Sequence, residues 1–247
     1  MNKITLEQAR IIGTEKAKNI AREIVDATIY NIYVTFHKCV GRRMDKETKT
    51  EFNKGIRRAK YCMKTQKNNY MVCEARAWRA LYRTIRKACP TFQGRIKRPP
   101  GDPFNAIYSY MNSLLYAHCL HAIIRVGLDP SLSFVHAPSL RRRFSLPLDI
   151  KDIFAPYVSI RLGVKLYKRL TKDPERYFGK AERKGRVAWY LSSARRKIIV
   201  RAFRGCLRRQ VSYDNQKIAL GRVIVMEARK LRRAVLEDDY EYRAWRM

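Results

Sequence analysis

The chain is short of acid: 21 Asp and Glu stand against 54 Lys and Arg in 247 residues, a formal net charge of +33. So one-sided a balance disfavours cationic partners and calls for a polyanion. An apolar N-terminal run of the signal-peptide kind is missing, so the expected location is the cytosol. The cysteines Cys39, Cys62, Cys73, Cys89, Cys119 and Cys206 lack CxxC spacing and any zinc pattern, which leaves reduced, structural thiols as the expectation. Internal repeats and low-complexity linkers are also absent, and one domain over residues 1–247 is expected. Long hydrophobic runs are limited to one candidate. Pro103 to Ile124 contains no Asp, Glu, Lys or Arg, yet Asn105, Ser109, Asn112, Ser113, His118 and His121 are spread round it. That distribution fits the buried centre of a folded domain and argues against a membrane span.

What is present is a core. The chain is 46% hydrophobic, so it is no disordered basic tail. Val25, Ile29, Ile32, Phe36 and Cys39 form one stripe of a first long helix from about residue 14 to 40. A charged helix is expected at about 47–66 and another at about 70–88. The Pro- and Gly-rich stretch from Pro90 to Pro103 is a loop, after which Asp102 and Pro103 read as N-cap and first-turn proline of a helix to Val126. A helix from Asp149 to about Leu170, a short β-hairpin near Arg186 to Tyr190 and two last helices complete the reading. The fold class is mainly α, with N-terminal helices in 1–68 and the remainder of the domain in 69–247.

The positive charge is patterned. Arg76, Arg79, Arg83 and Arg86 recur at helical spacing, and so do Lys197, Arg201, Arg204 and Arg208. Any single basic run is most simply a solvated face, but like charges stacked along one face are destabilising unless an anion lies against them. Phosphates fill that role, and such contacts fix position without reading sequence.

Residues 127–156 carry the chemistry. His136 follows a short apolar, strand-like run; Arg141, Arg142 and Arg143 follow in a proline-bounded loop; Asp149 and Asp152 then stand three apart on one helical face. Each has a bland reading. His136 alone reads as a packing histidine, Asp149 as a helix cap, and Asp129 before Pro130 as a turn residue. Glu74 shares a stripe with Trp78, Leu81 and Ile85, a place an isolated carboxylate would avoid. His118 and His121 have no carboxylates nearby in sequence and are left as core or polar-network residues.

This stretch, with Pro99 to Ala106, Gly127 to Pro130, His136, Ser145 to Ile150 and Asp152, resembles the CRISPR spacer-acquisition integrases, a family of CRISPR-associated DNA endonucleases. EARKLRRAVL and YEYRAW resemble the family's last helix and aromatic tail. Three positions depart from the pattern: Ser133 stands where Gly is usual, Asp152 where Glu is commonest, and Ala155 where Arg usually precedes the Pro. The resemblance implies the helical C-terminal domain of the family and a metal site formed by Glu74, His136 and Asp152. It also implies support from Asp149, by a hydrogen bond or an occasional metal contact. Arg95, Arg98 and Arg141 to Arg143 would then join the two stripes as phosphate contacts, Arg76, Arg83, Lys197, Arg201, Arg204 and Arg208 among them.

Strand transfer needs a 3′-hydroxyl made nucleophilic and a phosphodiester whose charge is neutralised, and a divalent cation does both. Two carboxylates with an imidazole suit Mg²⁺ or Mn²⁺. The implied partners are double-stranded DNA, as prespacer donor and CRISPR repeat target, and further copies of the chain. No β-rich N-terminal domain of the usual family kind is read before Glu74. The chain is therefore similar to the integrases of minimal type V CRISPR loci, for which a DNA-bound tetramer without a bridging ferredoxin-like partner is the expectation. A metal-dependent nuclease that joins nothing and a non-enzymatic nucleic-acid-binding protein are the alternatives.

Overall fold

The computed structural model describes residues 3–66, 69–136, 143–183 and 185–247. A short helix α1 (Lys3–Ile11) precedes α2 (Glu15–Thr35), where Thr14 accepts a hydrogen bond from the amide of Ala17. The expected first long helix is therefore α2, continued by a π turn over Phe36–Val40. Val25, Ile29, Ile32 and Phe36 are buried as the stripe requires, whereas Cys39 is exposed. The wider π turn adds a residue to the helical repeat, which rotates Cys39 off the apolar face and brings Val40 in. Gly41 closes the turn against the ring of Phe36, where a Cβ would lie 2.3 Å from a ring carbon.

Helix α3 (Lys46–Thr65) starts at Asp45, whose carboxylate accepts from the amide of Thr48 at 2.7 Å. It packs along α4 (Tyr70–Ala88), and the absence of a side chain at Gly55 lets α3 approach Ala80 closely. This pairing corrects the expectation of reduced thiols. Cys62 and Cys73 form a disulfide across the two helices, with their Cα atoms 5.4 Å apart. No spacing rule announces it, because the pair meets only when α3 and α4 lie side by side. Cys39, Cys89, Cys119 and Cys206 are free.

Helix α5 (Pro103–Arg125) begins as its sequence predicts: Asp102 accepts from the amide of Asn105 at 2.8 Å. Phe104, Ile107, Met111, Leu115, Cys119 and Ile123 are fully buried, and α5 is the centre of the domain. No helix among the described residues is long and apolar enough to cross a membrane. Helix α6 (Leu146–Ala155), a π turn (Pro156–Ile160) and α7 (Arg161–Leu170) replace the single helix expected there. Pro156 has no N–H to return to the carbonyl of Asp152, so the regular ladder breaks at that point.

After the short α8 (Pro174–Tyr177), strands β1 (Phe178–Arg183) and β2 (Arg186–Leu191) form the expected antiparallel hairpin. Helices α9 (Ser193–Leu207) and α10 (Leu220–Leu236) are separated by a second hairpin, β3 (Gln210–Tyr213) and β4 (Gln216–Ala219), which the sequence reading did not anticipate. Its signal was the Asp214–Asn215 pair, both at positive φ (46° and 61°), a two-residue turn that matches the twist of the strands. The aromatic tail folds back on the core. Trp245 stacks on Phe154 of α6 with ring centroids 5.0 Å apart, and buried Glu227 of α10 accepts from the Tyr242 hydroxyl and the Trp245 amide.

Candidate metal centre

Three separate pieces of chain supply the site. Glu74 lies in the second turn of α4, almost buried at 6% exposure, and its carboxylate accepts from the indole N–H of Trp78 one turn on, at 3.0 Å. Asp149 and Asp152 both lie on α6 and both point inward. His136 lies in the irregular segment that follows α5. The sequence suggested a strand before it, but residues 132–136 are irregular. Their amides are used differently: Phe134, Val135 and His136 all donate to the carboxylate of Asp149, at 2.8, 3.1 and 3.1 Å. Asp149 also pairs with Nδ1 of His136 at 2.8 Å.

That arrangement decides the roles of the two aspartates. Asp149 is fully buried and its oxygens are taken up by the loop, so it orients the imidazole. With Nδ1 donating to Asp149, Nε2 of His136 presents a lone pair to the cavity, 3.6 Å from Oδ2 of Asp152. Glu74, His136 and Asp152 each offer one ligand atom, and these atoms lie within 4.8 Å of one another. Asp149 is not a helix cap, since α6 already begins at Leu146.

The loop is clamped from several sides. Ser145 donates to the carbonyl of Ser131, and the Ser133 hydroxyl lies within hydrogen-bonding reach of both the Ser145 hydroxyl, at 2.8 Å, and the carbonyl of His136. Ser133, which departs from the family's usual glycine, thus contributes hydrogen bonds to the loop. Gln8 of α1 donates to the carbonyls of Asp129 and Leu132 and accepts from the amide of Asp129. Asp129 caps its own turn, accepting from the amide of Ser131. Gln8 was invisible to sequence reasoning, because it acts across more than a hundred residues.

Burial, then the neighbouring charge of Asp152, raises the Glu74 carboxyl to a pKa of about 7. Burial works against a charged His136, but the hydrogen bond that Nδ1 donates to Asp149 and the charges of Asp152, Asp149 and Glu74 outweigh it and leave the imidazole above its usual range. Glu74 and His136 therefore hold their protons more firmly than usual, and a cation would displace them. The donor set, hard oxygens with one nitrogen, fits Mg²⁺ or Mn²⁺. Asn112 adds to the fit: its buried Oδ1 lies in the wall of the same cavity and has no hydrogen-bond partner. Lys151, also missed by the sequence reading, brings its ammonium to Oδ1 of Asp152.

The cavity above the cluster holds about 590 Å³ and is lined by Arg79, Arg83, Arg86, Arg95 and Lys97 as well as Trp78, Tyr82 and Tyr108. Arg83 is exposed there, whereas Arg76 lines a neighbouring groove between α3 and α4 with Lys54 and Arg58. Arg95 is tied into the wall, donating to Asn105 and Ser109 at 2.9 Å each and lying over the ring of Tyr108. Arg98 is exposed, and Arg143 is exposed over the ring of Phe144. Arg141 and Arg142 fall outside the described residues. Lys197, Arg201, Arg204 and Arg208 line a different hollow of about 840 Å³ on α9, with Tyr110 on its rim.

The helical domain thus brings two carboxylates and an imidazole together beneath an arginine-lined cavity, a donor set that would suit a divalent cation and a charge that would suit a phosphate. The family described as CRISPR associated protein Cas1 matches residues 2–205, and the chain belongs to it. It is 33% identical over 175 residues to the CRISPR-associated endonuclease Cas1 of Haloferax volcanii, covering 68% of this chain and 52% of that protein. To the Clostridium perfringens protein of the same description it is 29% identical over 238 residues, covering 92% and 68%. This chain thus spans about half to two thirds of the length of these curated relatives. Among solved structures, a Cas1 protein from Thermotoga maritima aligns with a TM-score of 0.78 at 26% identity, covering 99% of this chain and 74% of that one. A casposase bound to integration product shares the fold, with a TM-score of 0.79 at 21% identity, covering 97% of this chain and 71% of that one.

Proposed function

We propose that the chain is a metal-dependent DNA integrase that inserts short foreign DNA fragments, prespacers, into a CRISPR array by attack of a 3′-hydroxyl on a repeat phosphodiester. The observation that carries this reading is the convergence of Glu74, His136 and Asp152, with His136 oriented by Asp149, at the floor of a basic cavity. Membership of the Cas1 family supports it.

Glu74, His136 and Asp152 would hold Mg²⁺ or Mn²⁺, which when bound would lower the pKa of the attacking hydroxyl and neutralise charge at the phosphate. The residues of the chain do the rest. Asp149 keeps Nε2 of His136 free and aimed, and Trp78 fixes the Glu74 carboxylate. Arg79, Arg83 and Arg86 line the wall over which the phosphates would lie. Arg141 to Arg143 follow the His136 loop in sequence and would hold donor or target DNA beside the site.

A joining assay separates this reading from a nuclease that uses water at the same site. Wild-type protein incubated with a short duplex and a supercoiled plasmid carrying a CRISPR repeat should convert the duplex into plasmid-linked product only with Mn²⁺ or Mg²⁺. Cleavage without linkage would favour the nuclease, and neither reaction would leave a nucleic-acid-binding protein.

Two insertions at one repeat need two active sites, so the working form is proposed to be a homotetramer assembled on DNA that needs no bridging ferredoxin-like partner. A net charge of +33 keeps free subunits apart until DNA neutralises it. Light scattering should give a larger species with donor DNA than without. A monomer in both states, or joining that starts only when the ferredoxin-like protein is added, would overturn the proposal.

A further inference from the structure

Lys151 is placed unusually for a lysine on a helix. Neighbouring residues on a helix point in different directions and do not normally pair, and lysines normally extend their ammonium into water. Lys151 does neither. Its side chain is only 12% exposed, it turns back from α6 into the cavity, and its ammonium meets Oδ1 of the adjacent Asp152. Taking a lysine out of water is costly unless it is paired, and the charges of Asp152 and Glu74 supply the pairing. The two oxygens of Asp152 are therefore divided: Oδ1 meets Lys151, and Oδ2 faces Nε2 of His136 at 3.6 Å.

We infer that Lys151 is a positioning residue that confines Asp152 to one oxygen toward the cation and thereby makes the site select against Ca²⁺. Ca²⁺ takes six to eight oxygens and favours carboxylates that give both of theirs, whereas Mg²⁺ holds a tighter octahedral shell and is content with one. Blocking Oδ1 removes an oxygen that Ca²⁺ would use and that the smaller ion does not need. The ammonium also weakens every divalent cation by charge repulsion, so the ratio of affinities carries the signature of positioning.

This inference rests on the metal centre proposed above, and its test is metal binding without DNA. The full chain, its Lys151→Met variant and its Lys151→Arg variant are titrated separately with Mn²⁺ and Ca²⁺ in a calorimeter. In Lys151→Met both ions should bind more tightly, and Ca²⁺ should gain at least about tenfold over Mn²⁺, the scale on which residues behind metal ligands act. Lys151→Arg retains a cation and donors for Oδ1, and should keep the wild-type ratio within about threefold. A protein in which Lys151 merely fills space would lose affinity for both ions alike in the Met variant. An unchanged ratio in Lys151→Met overturns the inference, as does a Lys151→Arg protein whose ratio moves toward Ca²⁺. Should the Met side chain prevent folding, the Arg variant still decides. Wild-type protein that binds neither ion would overturn the metal centre itself.

Discussion

Glu74→Ala, His136→Ala and Asp152→Ala should each reduce the proposed metal-dependent strand joining by at least about a hundredfold, while affinity for duplex DNA should stay near the wild-type value. Each change takes one of three side chains whose ligand atoms lie within 4.8 Å of one another, and no other acidic or imidazole group among the described residues completes such a cluster. DNA affinity is retained because it comes from lysine and arginine, and losing a carboxylate only makes the surface more basic. Stability separates this from a folding defect. Burial and the neighbouring charge of Asp152 both disfavour the Glu74 carboxylate, so Glu74→Ala relieves an unfavourable group and should not lower the melting temperature appreciably. Gel assays of joining, filter binding and a thermal melt check the three parts together. A Glu74→Ala protein that joins DNA at the wild-type rate would show that the chemistry is elsewhere.

Asp149→Ala has the opposite balance and should be the most destabilising single change at the site. Asp149 is fully buried and accepts from three backbone amides and the imidazole of His136. Its removal strands all of those donors, at a cost of about 3–5 kcal/mol. For a domain of this size that corresponds to a fall in melting temperature of roughly 6–20 °C. Joining activity is lost as well, since Nδ1 no longer has an acceptor and the loop that presents His136 has lost its anchor. Asp149→Asn leaves one acceptor oxygen but turns an NH₂ group toward N–H donors, so it should melt between the alanine variant and wild type. Differential scanning calorimetry of Asp149→Ala beside Asp152→Ala tests the assignment. Equal melting temperatures for the two would contradict the division of labour between the aspartates.

Much of the helical framework is legible because its signals are local. Asp102 and Pro103 start α5 where cap chemistry says a helix starts, and the apolar stripe of α2 is buried from Val25 to Phe36. The π turn that displaces Cys39 is not legible, because it depends on how Phe36 packs against Gly41 and Phe52. The β3–β4 hairpin was missed although Asp214 and Asn215 are ordinary turn residues, since its strands have four residues each and too little alternation to stand out.

Charge and the mainly helical class are legible in the sequence alone, since composition and helical period are properties of neighbouring residues, whereas Glu74, His136, Asp149 and Asp152 stand out as a set only through the family resemblance. Packing is what distinguishes the two aspartates. Asp149 and Asp152 stand three apart on one face of α6 and are equivalent in any local reading; the difference arises because Phe134 to His136 lie over Asp149 and their amides consume its oxygens. The Cys62–Cys73 bond, the grip of Gln8 on the Asp129 turn and the inward turn of Lys151 are of the same kind. Each depends on which surfaces the packed helices bring together, and hydrogen bonds, disulfides and ion pairs act over a few ångströms of space whatever the distance along the chain.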